Sequence, residues 1–253
     1  GVVGRDLVHR IRRHRIQALA LDTLQRHGAS DLLGDALGEL RDEASQVRLA
    51  ALAGFATESR ILKLLRDSGI ECLPLKGGPR LSLQLYGDIG LRHSKDLDLV
   101  VRSDRFVEAL DALQAAGWIP KHPVWTSSRG HRWLAARVLR DFPLFDPVAG
   151  VEVEIHHRFE RIASPDMDSL WWEEYSRRSD HRVSDAEFCY LCLHGALHGW
   201  SRLKWLGDLV AVLERRPAVF LEARPLAHRL GLVPALDQVA GLLAVFHGIQ
   251  PPG

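Results

Sequence analysis

Apolar residues recur at spacings of three and four along the first part of the chain, a period typical of helices with one buried face. The clearest helix runs from about Glu43 to Arg66, and its apolar positions are Leu49, Leu52, Phe55, Ile61, Leu64 and Leu65. Gly69 is well placed to end it, and Gly28 and Gly34 mark a break between the helices that precede it. We therefore predict an N-terminal helical region over residues 1–68.

The pattern changes over residues 69–160, where short apolar runs alternate with helical stretches. The predicted elements are a strand at 70–75, a helix from Pro79 to Tyr86, a strand at 97–101, a helix at 104–116 that Ser103 and Asp104 cap and Gly117 ends, and strands at 137–145 and 151–159. A turn with the sequence Asp-Pro-Val-Ala-Gly joins the last two strands, which indicates an antiparallel hairpin. This region is predicted to be a compact α/β core.

The last part of the chain, residues 161–253, is predicted to be helical again. One long amphipathic helix is expected from Asp185 to about Arg215, and Pro217, Pro225 and Pro234 are expected to divide the remaining residues into shorter helices. The predicted fold class is therefore α+β (mixed α/β), with a small mixed sheet flanked by N- and C-terminal helical lobes.

Composition excludes several classes of protein. The 253 residues are 46% hydrophobic and 26% charged, which is ordinary for a globular protein, and 33 basic residues nearly cancel 32 acidic ones. Net charge therefore gives no argument for DNA or a membrane surface as a partner. No apolar run approaches the roughly 18 residues needed to cross a bilayer, and the first residues lack a secretory pattern. Three cysteines make no disulfide framework, so we expect a cytoplasmic protein.

Two aspartates provide the first candidate chemistry. Asp96 and Asp98 alternate with Leu97 and Leu99, so on a strand the acids share one face while the leucines enter the core. Two neighbouring carboxylates repel each other unless a cation neutralises them. Magnesium prefers carboxylate oxygens and keeps open positions for phosphate groups. A solvated strand end is the alternative interpretation of this short pattern.

A glycine turn lies upstream of these aspartates. Lys76, Gly77 and Gly78 stand between a predicted strand and a helix that begins at Pro79. Unhindered backbone N–H groups at a helix N-terminus can receive phosphate oxygens, and Arg92 supplies a further cation nearby in sequence. We predict that Lys76, Gly77, Gly78 and Arg92 bind a nucleotide.

A third carboxylate is available on the last predicted strand, where Glu152, Glu154 and His156 share one face by strict alternation. If this strand lies beside the strand of Asp98, one glutamate could complete a set of three carboxylates. We favour Glu154, while the polar outer face of an edge strand explains Glu152 equally well.

These features together resemble a known family. The matching segments are Leu75-Lys76-Gly77-Gly78, Leu85-Tyr86-Gly87-Asp88, Arg92, Asp96-Leu97-Asp98-Leu99-Val100, Glu154-Ile155-His156, and the stretch from Leu193 to Asp208. The combination resembles the core of the DNA polymerase β-type nucleotidyltransferase superfamily, and in particular an uncharacterised bacterial nucleotidyltransferase family, some of whose members accompany peptide natural-product or polysaccharide gene clusters. The resemblance implies transfer of a nucleoside monophosphate, with Asp96, Asp98 and Glu154 in the metal-ligand positions.

A polar stripe runs along the predicted late helix. His194, His198, Arg202, Trp205 and Asp208 recur at spacings of three and four, so on a continuous helix they share one side. We predict that His194, His198 and Arg202 contact the triphosphate or the acceptor. Structural histidines that link two lobes are the alternative.

The predicted function is an enzyme that uses Mg²⁺ (or Mn²⁺) to transfer the nucleoside monophosphate of an NTP, with ATP favoured, to an acceptor and releases pyrophosphate. The catalytic residues would be Asp96, Asp98 and Glu154. The acceptor could be a peptide, a protein, a small molecule or an RNA, although no basic patch with interleaved aromatic residues favours RNA. The alternative is a non-catalytic nucleotide-binding scaffold of a biosynthetic complex.

Overall fold

A computed structural model describes residues 2–76, 78–126, 128–159, 165–177 and 182–248 of the chain. Its α-helices, in chain order, are α1 (Val2–His14), α2 (Gln17–Arg26), α3 (Leu37–Asp67), α4 (Pro79–Tyr86), α5 (Phe106–Ala115), α6 (Arg129–Val138), α7 (Pro165–Ser176), α8 (Asp185–Leu197), α9 (Leu203–Arg215), α10 (Val219–Arg229) and α11 (Val233–His247). The strands are β1 (Cys72–Pro74), β2 (Leu97–Val101), β3 (Ile119–Pro120), β4 (Asp141–Asp146) and β5 (Val151–His156). The predicted α+β class is confirmed.

The chain forms two compact units, each assembled from separate segments. The described residues within Ala50–Pro79 and Ser94–Ser176 form a sheet unit, which contains all five strands. Those within Gly1–Leu49, Arg80–His93 and Arg177–Gly253 form a helical unit. The long helix α3 and the short helix α4 each contribute residues to both units.

The sheet has the strand order β1-β2-β5-β4-β3. Strands β2 and β5 are parallel, with Asp98 opposite Glu154, and the other neighbouring pairs are antiparallel. The predicted hairpin of β4 and β5 is therefore confirmed, and the condition on which the third carboxylate depended, that β2 and β5 are neighbours, is met. The chain runs from β2 to β5 through α5, β3, α6 and β4, and a connection of this length allows the two strands to be parallel.

Alternation along the strands divides the sheet into an apolar face and a polar face. Leu97, Leu99 and Val101 of β2 enter a core with Val153 and Ile155 of β5. The same core includes Ile61, Leu65, Phe106, Leu110, Phe142 and Leu144 from α3, α5 and β4. Each fully buried side chain of this kind contributes about 1.5–3 kcal/mol relative to exposure. The residues between them, including Asp98 and Glu154, therefore lie on the opposite face of the sheet.

The helical unit has a separate apolar core, in which Val8 and Ile11 of α1, Leu21 of α2 and Leu40 of α3 pack around Leu33. The predicted break between the early helices is confirmed. Gly28 has φ +62° after α2, and Gly34 has φ +49° within the 3₁₀ segment Ser30–Ala36. Glycine adopts these left-handed angles without the clash that a Cβ would cause.

Two local predictions in the sheet unit were wrong. Residues 137 and 138 end α6 instead of beginning a strand, because Ser128 starts a helix by accepting the backbone N–H of His131. The predicted cap of the helix after β2 is also absent, since Ser103 begins a 3₁₀ turn and its hydroxyl donates to the carbonyl of His157. Helix α5 therefore begins at Phe106.

The prediction of a single long late helix was likewise wrong. Helix α8 begins at a capping box of Ser184 and Glu187 and stops at Leu197. Gly199 and Trp200 then adopt φ values of +57° and +52°, which interrupt the helical hydrogen-bond ladder, and α9 starts at Leu203. Two of the three prolines were assigned correctly as boundaries. Pro225 lies inside α10, and Pro217 and Pro234 lie before α10 and in the first turn of α11.

The interruption depends on a close approach of Trp200 to Gly195. A Cβ on Gly195 would lie 2.2 Å from Cζ3 of the Trp200 ring. We expect Gly195→Ala to lower the free energy of unfolding by about 1–3 kcal/mol, the range for overpacking, measured as the midpoint of urea unfolding. Gly241→Ala in α11 is the matched control, because a Cβ there meets nothing within 4 Å. This control should be neutral or stabilising by about 0.5–1 kcal/mol, and equal effects of the two variants would contradict the packing argument.

Within the described parts of the chain, no helix combines the length and the apolar character needed to cross a membrane.

Candidate active site

Asp98 lies at the centre of a charged cluster on the polar face of the sheet. Its side chain is 3% exposed, and its Oδ1 atom accepts hydrogen bonds from Lys76 Nζ at 2.8 Å and His156 Nε2 at 2.9 Å. Strand β2 supplies Asp98, and strand β5 supplies His156. Lys76 follows Leu75, two residues after the end of β1. Three segments of one sheet thus place two potential cations on one carboxylate oxygen.

The charges in this cluster stabilise one another. Burial by itself raises the pKa of Asp98, but the Lys76 ammonium and the hydrogen bond from His156 outweigh it and hold the pKa of this carboxyl well below its usual range. Burial lowers the pKa of His156, while hydrogen bonds to Asp98 and Glu154 raise it, and the net direction is upward. Asp98 is therefore a carboxylate at neutral pH, ready to bind positive charge.

Glu154 lies beside Asp98 because the parallel register of β2 and β5 pairs the two residues directly. One ligand atom each from Asp98, Glu154 and His156 lie within 4.8 Å of one another. His156 Nε2 is 3.6 Å from Glu154 Oε2, and the Glu154 side chain is 32% exposed. The cluster therefore has a buried side at Asp98 and a solvent-accessible side at Glu154.

The donor set fits a divalent cation. The two carboxylates provide the hard oxygen ligands that Mg²⁺ and Mn²⁺ prefer, whereas an imidazole nitrogen suits softer metals. His156 already donates to Asp98, and hydrogen-bond partners of this kind orient metal-binding carboxylates. Asp98 and Glu154 therefore stay the predicted ligands, and His156 lies where it can orient Asp98. The alternation of Glu154 and His156 is visible in the sequence, but His156 was not predicted as a site residue.

Comparison with known proteins identifies the family of this chain. The model of a family described as uncharacterised nucleotidyltransferase matches residues 4–248. The chain belongs to this nucleotidyltransferase family. No curated protein and no solved structure matches it. Membership implies transferase activity and an NTP as a substrate.

Asp96, the other predicted ligand of this nucleotidyltransferase, occupies a different environment. It is half-buried in the bend directly before β2, and its backbone carbonyl accepts a hydrogen bond from Ser94 Oγ at 2.8 Å. Its carboxylate is outside the group of three ligand atoms formed by Asp98, Glu154 and His156. The role of Asp96 as a metal ligand stays a prediction.

The glycine turn of the nucleotidyltransferase is described in part. Gly77 lies outside the described residues, and Gly78 is buried directly before α4, which begins at Pro79 as predicted. A Cβ on Gly78 would lie 2.9 Å from Oε2 of Glu58, a buried residue of α3. The close approach of Glu58 therefore leaves little room for a side chain at this turn, and phosphate binding by Gly77 and Gly78 stays a prediction.

Glu152, the alternative third carboxylate, is engaged elsewhere on the same sheet face. Its carboxylate is 2.5 Å from Lys121 Nζ and 4.0 Å from Lys95 Nζ. The hydrogen bond from Lys121 lowers the pKa of Glu152. The surroundings of Glu152 are those of a partly exposed ion pair, which distinguishes it from Glu154.

Arg92 lies in the helical unit and is 3% exposed at its side chain. Its Nε donates to Asp208 Oδ2 at 2.8 Å, and the hydroxyl of Tyr86 donates to Asp208 Oδ1 at 3.0 Å. Sequence reasoning placed Asp208 on the stripe of the late helix, and it did not identify the pairing with Arg92. The contact of Arg92 with a phosphate stays a prediction.

The histidines of the predicted stripe form an aromatic cluster in the helical unit, although α8 and α9 are separate helices. The rings of His194 and His198 are 4.5 Å apart between centroids, and both lie within 5.4 Å of the Trp205 ring. Arg202 precedes α9 and donates to the backbone carbonyl of Arg13. The structure brings His194 and His198 together, and their binding to nucleotide, with that of Arg202, stays a prediction.

Proposed function

We propose that this protein is a divalent-cation-dependent nucleotidyltransferase of the DNA polymerase β type. It transfers the nucleoside monophosphate of an NTP, with ATP the favoured donor, to a hydroxyl group of an acceptor and releases pyrophosphate. The observation that carries the proposal is the pairing of Asp98 with Glu154 across two parallel strands, with His156 and Lys76 around them. Mg²⁺ is usually bound by one or two carboxylates together with substrate phosphates, and this pair supplies two such carboxylates.

The reaction is a substitution at the α-phosphorus of the NTP. The acceptor oxygen forms a new bond to this phosphorus, and the bond from the phosphorus to the bridging oxygen of pyrophosphate breaks. The acceptor hydroxyl loses its proton, and Glu154, the more exposed carboxylate, is the group positioned to receive it. The products are the nucleotidylated acceptor and pyrophosphate.

Asp98 and Glu154, with Asp96 as a further candidate, would hold Mg²⁺ or Mn²⁺, which when bound would neutralise charge on the phosphate oxygens. Lys76 adds a positive charge from the protein itself, and its ammonium group lies 2.8 Å from Asp98. A phosphate beside Asp98 would be within reach of Lys76. Gly77 and Gly78 would add backbone donors before α4, and Arg92, His194, His198 and Arg202 are proposed as further nucleotide contacts.

The two glutamates on β5 provide a matched test of this proposal. We expect Glu154→Gln to lower the rate of pyrophosphate release from ATP by at least about 10²-fold, because it removes the charge that faces the reacting groups. Glu152→Gln should change the rate by no more than about twofold, since its ion pair with Lys121 is partly exposed and worth little. The measurement is coupled detection of pyrophosphate with ATP, Mg²⁺ and a hydroxyl compound that serves as the acceptor. Equal losses in both variants would contradict the assignment of Glu154.

A further inference from the structure

A cavity of about 350 Å³ lies in the sheet unit at the carboxyl ends of the parallel strands β2 and β5. Residues 100–104 and 157–159 form one side, and residues of α7, among them Trp172, form the other. This volume is in the range of small-molecule sites, and crevices at the carboxyl ends of parallel strands are common ligand sites. None of the residues assigned above to metal binding lines it.

The cavity is close to the carboxylate pair. Val100 lines the cavity and lies two residues after Asp98 on the same face of β2, a separation of about 7 Å along a strand. Directly after the neighbouring strand β5, which ends at His156, His157 lines the cavity. A small molecule beside Val100 would therefore lie about 7 Å, or two residues along the strand, from the carboxylates that are proposed to act on a hydroxyl.

The cavity wall carries two arginines, Arg102 and Arg158, and two aspartates, Asp104 and Asp168. Arg158 is half-buried in its wall, and in the described part of the chain it forms no ion pair with a carboxylate. Arg102 lies over the Trp172 ring at 5.4 Å and is 3.9 Å from Asp104, a largely exposed residue. Asp168 uses its Oδ1 atom to accept the backbone N–H of Phe159 at 3.2 Å. A half-buried guanidinium at a cavity wall is suited to bind an oxyanion through two parallel hydrogen bonds.

We propose that this cavity is the acceptor subsite, and that it takes a small hydroxyl-bearing molecule that also carries a carboxylate or phosphate group. Arg158 binds the anionic group, Arg102 assists it, and the Trp172 ring covers the hydrocarbon part of the acceptor. The hydroxyl then points toward Glu154 and Asp98. This inference rests on the proposed function, whose acceptor it assigns to a chemical class.

Three probes with one carbon skeleton test the subsite by calorimetry at constant ionic strength. Glycerol 3-phosphate carries the phosphate group, glycerate carries the carboxylate group, and glycerol carries no anionic group. We expect at least one anionic probe to bind and glycerol not to bind. Arg158→Gln should weaken that binding by at least about tenfold, since charge-assisted hydrogen bonds contribute this much. Arg158→Lys keeps the charge and loses the planar pair of donors. Its affinity for the probe should lie between the affinities of the wild type and Arg158→Gln.

Two controls separate this inference from the proposed function. Arg66→Gln removes the same charge from an exposed position of α3 and should leave probe binding unchanged. Asp98→Asn should abolish pyrophosphate release and keep probe binding, so a failure of the reaction and a failure of the subsite give different results. The inference is overturned if neither anionic probe binds, if Arg158→Gln binds as the wild type does, or if ATP with Mg²⁺ displaces the probe, since the cavity would then hold the nucleotide.

Discussion

Replacement of Asp98 by asparagine is expected to lower the rate of pyrophosphate release from ATP by at least about 10³-fold. Asp98 is the carboxylate on which the site converges, because both Lys76 and His156 donate to its Oδ1 atom. Asparagine keeps the shape and one acceptor oxygen, but it removes the negative charge that the cation and the two basic groups require. Steady-state measurement at saturating ATP and Mg²⁺ gives the rate.

The Asp98 variant needs proof that its fold is intact, because the residue is buried. Circular dichroism and the urea midpoint should show a folded protein, since the side chain keeps its size and an acceptor oxygen. Asp67→Asn is the matched control, as Asp67 makes an exposed pair with Lys63 on α3 of the same unit. A folded Asp98→Asn protein that releases pyrophosphate at the wild-type rate would exclude Asp98 from catalysis.

The wild-type protein also decides between catalysis and the scaffold alternative. Calorimetry with ATP, in the presence and absence of Mg²⁺, measures binding independently of turnover. Binding that depends on Mg²⁺ and is accompanied by pyrophosphate release supports the enzyme. Binding without any release, with every acceptor class offered, would favour a non-catalytic nucleotide-binding protein.

The sequence was sufficient to predict strand β2 and the start of α4, where local signals and packing agree. Strand β2 is apolar at Leu97 and Leu99 and is bounded by polar residues. Helix α4 begins at Pro79, and proline suits this position because backbone N–H groups in the first helical turn have no partner within the helix. The adjacency of Asp98 and Glu154 was a conditional prediction, because alternation identifies a face and not a neighbouring strand. The structure supplies the condition by pairing β2 with β5.

Long-range pairing explains most of the features that could not be predicted. The late helix was predicted as continuous because its apolar spacing continues, whereas the left-handed Gly199 and Trp200 break it and Trp200 packs on Gly195. Ser103 was expected to cap a helix, but the carbonyl of His157, distant in sequence, takes its hydroxyl. Such competition between local and tertiary partners is invisible in a local pattern.

The pair of Arg92 and Asp208 is the clearest example, and it leads to the largest expected effect on stability. The side chains are 3% and 1% exposed, and Tyr86 also donates to Asp208. We expect Asp208→Ala to lower the free energy of unfolding by about 3–5 kcal/mol, because it leaves a buried guanidinium without this carboxylate. Urea unfolding at pH 7 measures the loss. Tyr86→Phe removes only one hydrogen bond and should cost about 1–1.5 kcal/mol.

A double variant separates the charge pair from the packing around it. Arg92→Met combined with Asp208→Leu replaces the ions by apolar groups, and such exchanges are often neutral or stabilising, so it should recover most of the stability that Asp208→Ala loses. A loss below about 1 kcal/mol in Asp208→Ala would show that the pair does not stabilise the helical unit. The KM for ATP in the double variant then tests Arg92 independently of stability. Because a lost charged hydrogen bond is worth about a tenfold change in affinity, a KM raised at least about tenfold in a stable protein would support the predicted phosphate contact. An unchanged KM would leave Arg92 a purely structural role.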